Sequence, residues 1–331
     1  MKAIHLIYNT ISMSIAALLL TVAVGCSQHH STPVSIERLD LAIEASDTMS
    51  VSHRDALTDS MRPGIDALSR INAFSSELIE GEGLMALRYR SALMFTPAVR
   101  ERISGLATQE SSLGEIRDRL ASELPDVPFP SRIYAVEWPY NQSLALVNDS
   151  VMLIALNHYL GEDFEGYAGF EHYRRRLKTL DRLPYDVAEA LIRSAYPYSD
   201  SASTVTSRLF YEGAVAKAVE AIVPGSRDAD VLGYDDEQME WARSNERHVW
   251  ESLVGQQLLF SSSDMDMTRL FDPSPATSII HPEAPGRLGR FIGLRMIRSL
   301  LDHESSLTLH QLLTPRFYAS PEALQAAEYH P

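Results

Sequence analysis

The chain has 331 residues, 45% hydrophobic and 22% charged, and carries a formal charge of −15 at pH 7. A balance this acidic repels nucleic-acid phosphates and offers no polybasic patch to a membrane surface, which argues against both kinds of electrostatic partner. The apolar content is enough for a substantial core, in one domain or two fused lobes.

At the N-terminus one charge, Lys2, precedes an apolar stretch that is unbroken from Ile15 to Leu20 and continues to Gly25. It is too short to read as a membrane-spanning helix and reads as a secretory leader. Ala23-Val24-Gly25-Cys26 resembles a lipobox, so residues 1–25 are expected to be a lipoprotein signal peptide and Cys26 the lipid attachment site. Cys26 is the sole cysteine; once lipidated, it leaves no free thiol in an oxidising compartment. Removing a leader with one lysine and no acid makes the exported chain more negative by a single unit, so the lipid is the expected membrane contact. An ordinary signal peptide and an uncleaved anchor helix are the competing readings. Ser27 rather than Asp after the cysteine points, by enterobacterial sorting logic, to the outer membrane with the domain facing the periplasm.

Residues 26–35 form a polar run without apolar periodicity and are expected to be a tether. The globular domain then covers 36–331. Between Ile36 and Leu124 apolar residues recur at helical spacing, as in Ile65, Leu68, Ile71 and Phe74, then Leu84, Leu87 and Met94, which predicts a helical region over 36–124. Pro125, Pro128 and Pro130 break that pattern. Three short runs rich in β-branched and aromatic residues follow, Arg132 to Trp138, Ser143 to Asn148 and Ser150 to Leu156, and predict a small antiparallel meander over 131–157.

A C-terminal helical region is expected over 158–331. Thr204 to Val223 places its apolar residues near one face and stops at Pro224-Gly225. Asp235 and Gln238 suit a capping box opening a helix that runs to about Phe260. Pro285 suits the first turn of a helix reaching Leu301, in which Gly289 and Gly293 would admit another backbone. The fold class is α+β, predominantly helical.

Motifs for catalysis are sparse. No HExxH occurs, and none of the eleven histidines has another four residues on; a GxSxG elbow, a Gly-rich phosphate loop and a calcium loop are also missing. No metal or cofactor is expected. Glu212, beside Gly213 on an amphipathic helix, would need a cation if it points inward, and Arg287, Arg290, Arg295 or Arg298 could supply it. Asn245 and Glu246 fall near Trp241 and Trp250 at helical spacing. The candidate polar cluster is thus Glu212, Asn245, Glu246, Arg287 and Arg298, in a functional or a structural role. Arg174-Arg175-Arg176 reads as a solvated helix face rather than an anion site.

Several strings together carry a family resemblance: Leu160-Gly161-Glu162-Asp163 with Tyr167, Tyr211-Glu212-Gly213, Leu232-Gly233-Tyr234 with Glu237-Gln238 and Trp241, and Asn245-Glu246 with Trp250. Ala284-Pro285-Gly286-Arg287-Leu288-Gly289, leading to Gly293 and Arg298-Ser299, completes the set. In order and spacing they resemble the gliding-motility-associated lipoproteins of Bacteroidetes called GldB. Asn157 departs from that pattern, which has an Asp before the Leu-Gly pair. The resemblance implies distant similarity to predicted zinc peptidases whose HExxH is lacking here, and hence a zincin-like remnant in the fold. It also implies a non-catalytic envelope component supporting gliding motility or protein secretion, with envelope proteins as partners. The alternatives are an envelope hydrolase using Glu212 or Glu246, and a glycan or small-molecule binder using Trp138, Tyr140 or Trp241.

Overall fold

The computed structural model describes residues 31–71, 95–199 and 202–331. The leader and Cys26 lie outside the described residues, as do Phe74, Leu84, Leu87 and Met94. Thr32–Pro331 form one unit.

The last residues of the expected tether are docked. The Val34 and Ile36 amides donate to the backbone and side-chain oxygens of Glu110, each at 2.9 Å. Ile36–Arg38 is then a strand, β1, so the N-terminal region is not helical throughout. It is followed by helices α1 (Leu39–Ala45), α2 (Arg62–Ile71) and α3 (Ala107–Glu123).

β1 pairs parallel with β2 (Arg132–Val136), and β2 pairs parallel with β4 (Val151–Ala155). β4 pairs antiparallel with β3 (Leu144–Val147), giving the order β1-β2-β4-β3. The expected antiparallel meander is therefore a mixed sheet, in which only the β3–β4 hairpin is antiparallel. The cause lies in β4: Val151-Met152-Leu153-Ile154-Ala155 is apolar and buried at every position. Such a strand needs cover on both faces and neighbours on both edges, so it takes a central place. β3, half-buried throughout, takes the edge. Asn148 and Asp149, at φ 53° and 55°, lie in the three-residue turn Asn148–Ser150 between them, a conformation that Asn and Asp tolerate better than most residues.

Alternation along the strands sorts the core into two layers. Tyr134, Val136, Leu153 and Ala155 pack with Leu39 and Ile43 of α1 and Ile65 and Leu68 of α2. Ile133, Ala135, Met152 and Ile154 face the other way, into the larger core built with α3 and the C-terminal helices.

Glu137 directly follows β2 and is 2% exposed. The Thr96 hydroxyl donates to its Oε2 at 2.9 Å. Burial pushes this carboxyl up to about 7, with nearby Asp40 adding to the rise and the Thr96 bond opposing it. The folded state therefore holds a proton that the unfolded chain releases near pH 4.5. That stabilisation is complete below the unfolded value and is lost as pH rises to about 7, up to roughly 3 kcal/mol. Glu137→Gln should remove this slope: the wild-type-minus-variant difference in urea midpoint should change between pH 5 and pH 8, with wild type losing ground at the higher pH.

The C-terminal region is organised around three helices, α4 (Leu183–Ala195), α5 (Val205–Ile222) and α8 (Leu288–His303). α5 is capped by Thr204, whose Oγ1 accepts from the Ser207 amide at 3.2 Å, while Ser207 Oγ accepts from the Thr204 amide at 3.1 Å. It is buried almost all round, from Leu209 through Val219, which makes it the central helix of this lobe.

The Asp235 capping box forms, with the Gln238 amide donating to Asp235 Oδ1 at 2.8 Å. The helix it opens does not run to Phe260. It divides at Asn245 into α6 (Asp236–Ser244) and α7 (Glu246–Gly255). Asn245 Nδ2 donates to the Trp241 carbonyl at 2.8 Å, the kind of local side-chain bond that competes with a continuing helix.

The later helix also starts after its expected place, at Leu288 rather than Pro285. Arg287 is left-handed at φ 62°. The Thr277 hydroxyl donates to the Pro285 carbonyl at 2.7 Å and accepts from the Leu288 amide at 3.2 Å, so it caps the helix from outside.

Candidate functional site

α4 turns Val187, Ala188, Leu191 and Ile192 into the core and carries a charged stripe along another side. Arg182, Asp186, Glu189 and Arg193 recur at spacings of four, three and four, one helical face. Arg182 Nε donates to Asp186 Oδ1 at 2.9 Å, and Arg193 Nε donates to Glu189 Oε1 at 2.9 Å. The Tyr159 hydroxyl donates to the second Asp186 oxygen at 3.0 Å.

α5 and α8 cross at Gly213 and Gly293, where a β-carbon on either residue would lie 2.1 Å from a carbonyl oxygen of the other helix. This contact realises the backbone approach expected of Gly293; Gly289 instead lies against the Phe271 ring. It also brings Glu212, beside Gly213, to Arg290, one turn before Gly293. Arg290 Nη2 is 2.9 Å from Glu189, and its Nε is 3.5 Å from Glu212. Arg193 and Arg208 also hold Glu212, at 2.5 Å and 2.8 Å. Burial alone would raise both glutamates. Arg193, with Arg290 and Arg208, overcomes it for Glu212 and leaves that carboxyl below its usual value. Arg290, with Arg193, Arg287 and Arg182, does the same for Glu189, which sits well below it.

The sequence-derived cluster does not come together as one site. Glu212 is paired with Arg193, Arg208 and Arg290. Arg287 lies 3.9 Å from Glu189. Glu246 accepts from Arg295 at 2.8 Å and from the Tyr329 hydroxyl at 2.7 Å, in a separate neighbourhood. Arg298 is held by Asp228 at 2.6 Å and Glu220 at 3.0 Å. Asn245 serves the α6–α7 break. Trp138 is buried, with its indole donating to the Gln142 carbonyl, while Trp241 and Tyr140 are half-buried.

What the charged stripe of α4 does border is a cavity of about 530 Å³. Among the described residues, its walls include Arg174, Arg176, Lys178, Arg182, Arg193 and Arg287, facing two carboxylates, Asp186 and Glu189. Arg174 and Arg176 come from the basic triplet, so two of its three members border a concave site and not a featureless helix face. Lys178, Asp186, Glu189 and Arg193 were not singled out in the sequence. Their signal was the spacing along α4, together with Lys178 being one of only three lysines in the chain. Asn157 stands where the resemblance leads to the expectation of an Asp. Its side-chain amide accepts from the Trp138 backbone N–H at 3.2 Å and donates to the Trp138 carbonyl at 2.9 Å, and an ionised Asp could not do the second.

Gly233, Tyr234, Gln238, Gly286 and Arg287 also line this cavity. They come from strings distant in sequence. Over residues 26–331 the sequence matches the family described as gliding motility protein GldB. The chain belongs to the GldB family. That membership makes it a gliding-motility-associated lipoprotein, and the match begins at Cys26 itself. No curated protein and no solved structure matches the chain. Among the described residues of this GldB chain, no helix is long and apolar enough to cross a membrane. Among the same residues, no three His, Cys, Asp or Glu side chains are grouped so that they could hold a metal ion.

Proposed function

We propose that the protein is a non-catalytic envelope component, anchored by lipid on Cys26 in the outer membrane and facing the periplasm, that supports the gliding or secretion machinery by binding other envelope proteins. One observation carries the non-catalytic reading. Glu212 and Glu246, the two carboxylates a hydrolase of peptidase ancestry would draw on, sit in separate neighbourhoods, each closed by cations or a hydroxyl. A general base must reach a substrate proton, and Glu212, 2% exposed beneath three guanidiniums, has no free approach. Exposed Val254, Phe260 and Met265, within one short stretch, offer the apolar surface that a protein partner covers.

The anchor is tested by Cys26→Ser. The variant should move from the membrane to the soluble fraction and lose labelling by a fatty-acid probe, because stable attachment depends on the acyl chains. A variant that loses the label yet stays with the membrane would point to an uncleaved helix. Partner binding is tested by pull-down of the wild-type protein from solubilised membranes; recovery of no envelope protein above background would remove that half of the reading.

A further inference from the structure

The cavity beside α4 holds more positive charge than its own carboxylates compensate. Among the described residues, Lys178 has no carboxylate within salt-bridge distance: its ammonium donates to His158 Nδ1 at 3.0 Å and lies 5.1 Å from the Tyr167 and Phe170 ring centres. His158 cannot share the charge. Burial, with Lys178 beside it, lowers that imidazole to about 4, and its Nε2–H faces the Tyr140 carbonyl at 2.9 Å, so it is a neutral acceptor. Arg287 makes no side-chain hydrogen bond among the described residues, and its one ion contact is Glu189 at 3.9 Å, a carboxylate already bonded by Arg193 and Arg290. Its Nε is buried without a partner. Arg176 is positioned by the Gly233 carbonyl and by Gln238 at 2.7 Å, with its nearest carboxylate, Asp235, 3.9 Å away.

These three cations come from two separate segments and are each fixed by the fold. Arg287 is held in a left-handed conformation, at φ 62°, the kind of strain retained where a side chain must be aimed. Planar guanidiniums and a lysine around one concavity suit an oxyanion with several acceptor oxygens. Three under-compensated cations match a charge near −2 concentrated on one group better than a single carboxylate. The volume, about 530 Å³, exceeds what a bare anion fills and falls in the range of small-molecule sites. Phe170, Tyr173, Leu177 and Leu232 supply an apolar wall for the remainder.

We propose that this cavity is a binding site for a phosphomonoester, whose dianionic phosphate docks on Arg176, Lys178 and Arg287 while its organic body lies against the aromatic and aliphatic wall. This goes beyond the envelope role proposed above and does not depend on the anchor.

The test is calorimetric titration of the full chain in detergent with phenyl phosphate, with inorganic phosphate as competitor and succinate as the carboxylate comparison. Phenyl phosphate should bind saturably and be displaced by inorganic phosphate, and succinate should bind at least about tenfold more weakly. Lys178→Met should weaken phenyl phosphate at least about tenfold, and so should Arg287→Asn, in which Asn accepts the left-handed backbone. Arg247→Gln, an exposed cation outside the cavity, should change nothing. Thermal melts establish that each variant is folded. Glucose 6-phosphate and dihexanoyl phosphatidic acid then distinguish a soluble ligand from a lipid headgroup, and binding of either supports the site. Absence of saturable binding up to about 10 mM phenyl phosphate, succinate binding as tightly, or wild-type affinity in a folded Lys178→Met or Arg287→Asn overturns it.

Discussion

Gly293→Ala is expected to destabilise the protein by about 3 kcal/mol or more, and Gly213→Ala by a similar amount. The added carbon would lie 2.1 Å from the Leu209 carbonyl oxygen in one case and 2.1 Å from the Gly293 oxygen in the other. Both obstacles are backbone on central helices, so no side chain can rotate to make room and the α5–α8 crossing must open. Overpacking of ordinary side chains costs about 1–3 kcal/mol, and a backbone clash belongs at or above the top of that range. Against a typical total of 5–15 kcal/mol, this is a large fraction. Urea midpoints read the effect directly. Gly255→Ala is the control: it sits at the end of α7 with nothing within 4 Å of the added carbon, and should be neutral or slightly stabilising. A wild-type midpoint in Gly293→Ala would mean that the helices do not approach as described.

Glu212→Gln is expected to cost about 3–5 kcal/mol near pH 7, the usual penalty for removing one charge from a buried ion cluster. Arg193 and Arg208 are each 28% exposed at the side chain and can turn toward water, which moderates the loss. Arg290 is 1% exposed and cannot. It would keep Glu189 but lose half of its compensation, with its Nε and Nη1 already lacking hydrogen-bond partners. The pH dependence has a definite sign. Glu212 is held below its usual value, so its contribution is present above about pH 4.5 and is lost as pH falls through the depressed folded value. Wild type should lose stability on acidification below about pH 4.5 more steeply than Glu212→Gln. This is opposite in direction to the Glu137 effect, which acts between about pH 4.5 and 7. Because the crossing glycines set the distance between Glu212 and Arg290, Gly213→Ala and Glu212→Gln should not be additive.

Much of the fold was legible because it depends on near neighbours along the chain. The helix expected from Thr204 to Val223, the Asp235–Gln238 box and the three strand segments each rest on a few adjacent residues, and each forms. The pairing of the strands did not follow from that pattern. An antiparallel meander is the simplest arrangement of three consecutive strands, but the wholly apolar β4 needs a neighbour on both edges. β2 and β3 take those edges, and β1, nearly a hundred residues earlier, extends the sheet. The break at Asn245 was hidden because Trp241, Asn245 and Val249 keep helical spacing across it.

The polar site was legible only as a set of candidates. Net charge sums over the whole surface, so a total of −15 gives no hint that, among the described residues, six cations border one cavity with two carboxylates. Lys178 and Arg287 are more than a hundred residues apart, and only folding places them on one wall.

By itself, the sequence determined what local chemistry and ordered motifs carry: a chain of α+β class, the Asp235–Gln238 capping box, and membership of the GldB family. The tertiary structure alone decided which of four candidate arginines meets Glu212. At about 100° per residue, Arg290 lies about 60° around α8 from Gly293, whereas Arg295 and Arg298 lie about 160° and 140° away. With Gly293 pressed onto Gly213, Arg290 must face Glu212 and the other two must seek Glu246 and Asp228. Arg287, ahead of the helix and left-handed, is turned to the cavity instead. The register of one helix against another is set by where two backbones can touch, and no stretch of sequence read alone contains both of them.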